Sequence, residues 1–94
     1  VVLDGTLYVP NSFTPNGDGR NDLFGAIATE IDEFRLLVFN RWGEEIYRTE
    51  KLGEWWDGTY LGTQSPIDTY VWRIDLVEGS GEKRTLFGHV NLIR

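Results

Sequence analysis

From Tyr70 to Val77, the residues Tyr70, Trp72, Ile74 and Leu76 fall on one face of an extended chain, and Val71, Arg73, Asp75 and Val77 fall on the other. A repeat of two marks a strand, because successive side chains point to opposite sheet faces. The run Thr85–Ile93 repeats the pattern, with Leu86, Gly88, Val90 and Leu92 opposed to Phe87, His89, Asn91 and Ile93. Between the runs lies Glu78-Gly79-Ser80-Gly81-Glu82, whose glycines suit a tight reversal, so the pattern predicts a long C-terminal hairpin. In Glu33–Phe39, Phe34, Leu36 and Val38 oppose Arg35, Leu37 and Phe39. Both faces are largely apolar toward the end of that run, which suits a central strand covered on each side. Shorter strands are predicted at Thr6–Val9, Leu23–Ile27 and Glu45–Arg48, with Arg41-Trp42-Gly43 turning the chain between Leu36–Asn40 and Glu45–Arg48. Helix signals are poor, and the one place with room for a helical turn is Ala26–Phe34. Regular turn signals between short alternating runs predict an all-β fold, an immunoglobulin-like Greek-key β-sandwich of about six to eight short strands.

Composition narrows this picture. The 94 residues make a single domain over 1–94. A chain this short buries only about 60–65% of its unfolded surface. Its core must therefore be dense, and four Trp, four Tyr and five Phe supply the material. Cysteine is absent, so there is no disulfide and no thiol chemistry. Nine Lys+Arg against fifteen Asp+Glu leave a net charge of −6. That argues against nucleic acid or an anionic membrane as partner and permits cation binding. No apolar run is long enough to span a bilayer, so direct membrane insertion is not expected. Enzyme readings fail on inventory. His89 is the only histidine, it alternates along a strand with Phe87 and Asn91, and the serines have no base placed near them by any motif. One histidine and no cysteine also argue against zinc.

The stretch Phe13-Thr14-Pro15-Asn16-Gly17-Asp18-Gly19-Arg20-Asn21-Asp22 stands apart from the strands. Proline fixes one backbone angle, the glycines open φ > 0, and Asn and Asp bond back to their own backbone. An ordered acidic turn is expected. Asn16, Asp18 and Asp22 sit at alternating positions, with the Arg20 carbonyl between them and the Asn21 amide oxygen near, which makes the turn a candidate calcium site. The plainer reading is a chain of Asx turns satisfied by backbone amides, with no ion. Arg20 stands at a ligand place, and no bidentate Glu follows at EF-hand distance. Among the tryptophans, Trp72 faces inward by alternation, and Trp42 is expected to pack over the sheet as well. Trp55 and Trp56 are adjacent and point opposite ways, leaving one for solvent or a ligand. Arg41 is expected to form a structural salt bridge with a carboxylate such as Asp57, or to stack on an indole.

Five blocks then follow one another in order. They are the acidic turn, Leu37-Val38-Phe39-Asn40-Arg41-Trp42-Gly43, Trp56-Asp57-Gly58, Thr69-Tyr70-Val71-Trp72, and Gly88-His89-Val90-Asn91-Leu92-Ile93-Arg94. Taken together, the chain resembles the gliding-motility-associated C-terminal domain of Bacteroidetes surface proteins, the type B sorting domain of the type IX secretion system. The resemblance runs from about Val9 to Arg94. One departure is visible: Asp68-Thr69-Tyr70 stands where such domains usually read Gly-Thr-Tyr.

The resemblance implies a non-catalytic signal, excised here from a larger secreted protein. It implies export through the periplasm to the cell surface or extracellular space of a Bacteroidetes bacterium. It also implies a partner in the outer-membrane machinery, of the PorP/SprF kind, and a monomeric isolated domain. Candidate recognition residues are Asn16, Asp18 and Asp22 in the acidic turn, Arg41 and Trp42 in the following turn, and Arg94 at the end of the last strand. If Thr85–Ile93 lies at a sheet edge, its backbone could also add to a partner's sheet. The competing class is an accessory binding module for carbohydrate or protein, with Trp55 or Trp56 as its exposed aromatic.

Overall fold

The computed structural model describes residues 2–3, 7–17 and 22–94. Its centre is a five-stranded sheet in the order β3-β10-β9-β5-β6. The members are β3 (Ser12–Phe13), β5 (Ile31–Phe39), β6 (Glu45–Thr49), β9 (Asp68–Glu78) and β10 (Lys83–Leu92). A three-stranded sheet of β1 (Val2–Leu3), β2 (Leu7–Tyr8) and β4 (Ile27–Ala28) and a small hairpin of β7 (Thr59–Tyr60) and β8 (Thr63–Gln64) complete the described strands. The domain is all-β and sandwich-like, with no helix among the described residues. Among the described residues ten strands stand where six to eight were expected, because six of them are only two residues long.

The predicted C-terminal hairpin is the backbone of the fold. β9 and β10 pair residue for residue from Asp68↔Leu92 to Val77↔Lys83 with no shift of register. Gly81, at φ +93°, closes the turn, its amide donating to the Glu78 carbonyl at 2.7 Å. The inward face of β9 is the predicted one, with Tyr70, Trp72, Ile74 and Leu76 all buried. Trp72 lies across the strand pair from Gly88, and a Cβ at Gly88 would stand 2.2 Å from its ring. Glycine at that position is therefore what lets an indole lie flat against β10.

Packed against this layer are Leu7, Val9, Phe24, Ala26 and Trp56, with Phe13 of β3 joining them from the sheet itself, all buried. Trp56 is at the centre of an aromatic cluster, with ring centroids 5.4 Å from Phe13, 5.2 Å from Tyr70 and 6.4 Å from Tyr47. The shift of register between Val38 and Phe39 sets Phe39 opposite Glu45 and Val38 opposite Tyr47, so Ile46 is the extra residue of β6. That bulge lets both Ile46 and Tyr47 pack against the core.

Three expectations are corrected. The segment 26–34 forms no helical turn: β4 ends at Ala28, Glu30 takes φ +58° in a bend, and β5 begins at Ile31. Pairing of the whole run Ile31–Phe39 with β9 outweighs a weak local preference. Leu23–Ile27 does not form one strand. Phe24 makes a single bridge to Trp56, with N–H···O bonds of 2.8 and 2.7 Å, and the strand proper starts at Ile27. Finally, no described strand layer covers the second face of β5. Leu37 is nonetheless 5% exposed, because it stands between Arg48 and Arg73 on the neighbouring strands. The long aliphatic stems of such arginines shield apolar surface while their heads stay in water.

Candidate functional site

Strand direction decides what meets at one end of the five-stranded sheet. β3 runs parallel to β10, while β9 runs antiparallel to both β10 and β5. The C-terminal ends of β3, β10 and β5 and the starts of β9 and β6 therefore lie together. The acidic turn leaves β3 there, Arg94 follows β10, Asp68 begins β9, and Arg41-Trp42 follows β5. The described candidate recognition residues, scattered over the sequence, thus emerge at one end of the sheet.

The turn after β5 is built by Asn40. Its Oδ1 accepts the amides of Trp42 and Glu44, each at 3.0 Å, and its carbonyl accepts the amide of Gly43 at 3.0 Å. Gly43 takes φ +79°, a conformation that a side chain would strain. The tight reversal leaves Trp42 at the tip, 81% exposed. The expectation that Trp42 packs inward is therefore wrong: a three-residue turn cannot fold its own tip back over the sheet.

Arg41 forms the expected salt bridge, but with a different partner. Its Nε and Nη2 lie 2.8 Å from the two carboxylate oxygens of Asp68, a two-pronged pairing. Its Cζ also stands 5.6 Å from the Trp42 ring centroid. Asp57 is engaged elsewhere, accepting the amide and hydroxyl of Thr59 at 3.0 and 2.6 Å. The Arg41 hydrogen bond, helped by the Thr69 amide, holds the Asp68 carboxyl below its ordinary value, and Asp68 in turn raises that of Arg41. The departure at Asp68 thus has a structural use: an aspartate there anchors the tryptophan turn.

Between this turn and the segment 65–68 lies an open groove of about 340 Å³, walled by Trp42, Ile46, Tyr60, Pro66, Ile67 and Tyr70. Its far wall is tied down. The Tyr70 hydroxyl donates to the Pro66 carbonyl at 2.6 Å, and Arg94 Nη1 donates to the Ser65 carbonyl at 2.6 Å. Arg41, Trp42 and Arg94 therefore converge on one short segment. The groove itself was not legible in the sequence, since Tyr60, Pro66 and Ile67 lie in no shared motif with Trp42.

The acidic turn is described only in part. The Asn16 amide donates to the Thr14 carbonyl at 2.9 Å, and the Gly17 amide to Asp22 Oδ1 at 3.1 Å. Asp18, Arg20 and Asn21 lie outside the described residues, so the calcium reading, which needs them, does too. Among the described residues no cluster of three acidic or histidine side chains is placed to hold a metal. The remaining tryptophans divide as adjacent residues should: Trp56 is wholly buried, and Trp55 is half-buried against Gly25. Trp56 is core and offers no sugar platform.

An exposed indole on a braced turn, fixed guanidinium groups and an apolar groove are the equipment of a recognition module. A family model for the CHU_C type IX secretion signal domain matches residues 7–92. The chain belongs to that family, a non-catalytic domain that directs secretion of the protein carrying it. No curated protein matches the chain. Membership implies interaction with the type IX machinery and export of the parent protein across the outer membrane to the cell surface or medium.

Proposed function

We propose that the domain docks end-on to a PorP/SprF-type protein of the type IX outer-membrane machinery, with Arg41, Trp42 and Arg94 in the contact surface. The parent protein, a larger chain, passes through the periplasm of a Bacteroidetes bacterium and is retained at the surface. The observation that carries this reading is Trp42, 81% exposed on a turn held by Asn40 and by the Arg41–Asp68 pair. Exposing an indole forgoes the benefit of burying it, and preordered Trp and Arg side chains are the residues that dominate protein interfaces. The chain leaves β3 at the same end of the sheet, and Asn16 and Asp22 belong to the proposed surface, while Asp18 is a candidate from the sequence alone.

A reporter tests the proposal. Residues 1–94 are fused behind a signal peptide and a fluorescent protein in a gliding Bacteroidetes cell, with a translocon-deficient strain as control. The wild-type fusion is expected outside the cells and trapped in the control's periplasm. Trp42→Ala and Arg41→Ala fusions are expected to stay in the periplasm although folded, and to lose co-purification with the PorP/SprF-type protein. Full export of the Trp42→Ala fusion would overturn the docking face while leaving the sorting role intact.

A further inference from the structure

The two edges of the five-stranded sheet are built differently. β6 is five residues long, exposes Glu45 and Arg48, and is bulged against β5. Short length, charge and a bulge are the devices that keep an edge strand from pairing with another chain. β10 is ten residues long and runs without a register shift. β3 covers its outer side only at Asn91 and Leu92, which corrects the expectation that the strand reaches its end as a free edge. The amides of Asn91 and Ile93 point outward, onto the carbonyls of Asn11 and Phe13 at 2.9 and 3.0 Å. By the two-residue repeat, the backbone of Thr85, Phe87 and His89 points the same way. Among the described residues these three have no backbone partner on that side. Beside this stretch Phe87 is 66% exposed, with the Arg73 guanidinium 5.8 Å from its ring centroid.

Charge selects the occupant. The chain carries −6, yet β10 contains Lys83 and Arg84 and no carboxylate. Arg84 is engaged by Glu78 and Glu82, whereas Lys83 makes no ion pair among the described residues. A second copy pairing through this same edge would bring another Lys83 and no carboxylate of β10 to meet it. We propose that the outer edge of β10 from Lys83 to His89 receives an extended, acidic strand of a partner protein. Such a strand sets a carboxylate opposite Lys83 and, four residues along the same face, an apolar side chain opposite Phe87. Backbone hydrogen bonds supply the affinity and these two side-chain positions supply the selectivity. The footprint is about 24 Å at roughly 3.4 Å per residue. This edge is distinct from the end-on surface and does not depend on it.

The test uses the isolated chain and threonine-rich heptapeptides with one glutamate and, four positions on, one valine, in both sequence directions. Amide NMR and hydrogen exchange are read with and without peptide. Exchange at Thr85 and Phe87 is expected to slow at least ten-fold in the glutamate peptide. The effect should vanish when the peptide's edge-facing amides are N-methylated, and weaken when lysine replaces glutamate. Thr85→Pro removes an outward N–H while sparing the ladder to β9, a placement proline tolerates, and should lower affinity at least ten-fold. Should that variant not fold, Lys83→Glu, at an exposed position, should reverse the preference between glutamate and lysine peptides. Equal binding of both peptides, shifts that map away from β10, or no binding at millimolar peptide would overturn the proposal. So would a concentration-dependent dimer in sedimentation that Thr85→Pro abolishes, which would assign the edge to a second copy.

Discussion

Two short loops of this domain each carry a tryptophan close to a glycine, Arg41-Trp42-Gly43 and Trp56-Asp57-Gly58, and they put it to opposite uses. Trp56 is wholly buried and Trp42 is 81% exposed. Both loops are held by an acidic or amide side chain that accepts nearby donors, Asp57 in one and Asn40 in the other. Local chemistry therefore does not separate them. What separates them is the chain opposite. Trp56 is paired through its backbone to Phe24, and its Nε1 donates to the Thr59 carbonyl at 2.8 Å, so the indole enters the space between the layers with its polar atom satisfied. Trp42 is at the tip of a reversal between adjacent strands β5 and β6, where none of the described strands forms an opposing layer. The same residue type is core in one turn and a recognition surface in the other.

This contrast can be broken or sharpened by substitution. Trp56→Ala should be the most costly change, about 3–5 kcal/mol, because it empties the centre of the aromatic cluster. Urea unfolding measures it, and a loss below about 1 kcal/mol would show that the cluster is not the core. Gly88→Ala follows at about 1–3 kcal/mol, as an overpacked site. A Cβ there meets the Trp72 ring, and the combined Gly88→Ala, Trp72→Leu variant should recover part of the loss seen in the single variant.

Ion pairs come next. Arg35, 2.7 Å from Asp75, and Arg41 beside Asp68 each hold their carboxylate below its ordinary value. A carboxylate whose value is lowered by folding stabilises the fold fully above its unfolded value of about 3.9, and the contribution disappears as pH falls through the folded value. Melting temperature should therefore decline below pH ~4, and Asp75→Asn should flatten that decline. An unchanged slope would mean that the pair does not couple to folding. Trp42→Ala should change stability least, within about 0.5 kcal/mol. Its effect belongs in the export assay, and a large loss of stability would mean that the turn supports the fold.

The hairpin β9–β10, the β5–β6 pair and the turn at 41–43 were legible because alternation and glycine placement are local properties. Arg41 as half of a salt bridge was legible too, since a guanidinium between two strands needs a carboxylate. Its partner was not. Asp57 is nearer in sequence than Asp68, yet β9 pairs with β5 and brings Asp68 beside the turn. The two-residue strands β3, β7 and β8 carry too few positions for a period to show. The inward prediction for Trp42 failed because hydrophobicity reports a preference for burial, not whether a neighbouring layer is there to satisfy it.

By itself the sequence determined the all-β class, the inner face of β9 and the family, through residue types, a repeat of two and the order of five blocks. These survive in the linear chain because each is a pattern of neighbours or of spacing. The tertiary structure decided which tryptophan is core, which carboxylate holds Arg41, and which part of β10 is left unpaired among the described residues. It also brought the described start of the acidic turn, Arg41, Trp42 and Arg94 to one end of the sheet. Those outcomes depend on strand order and direction, which pair residues far apart in the chain, and no local preference encodes them.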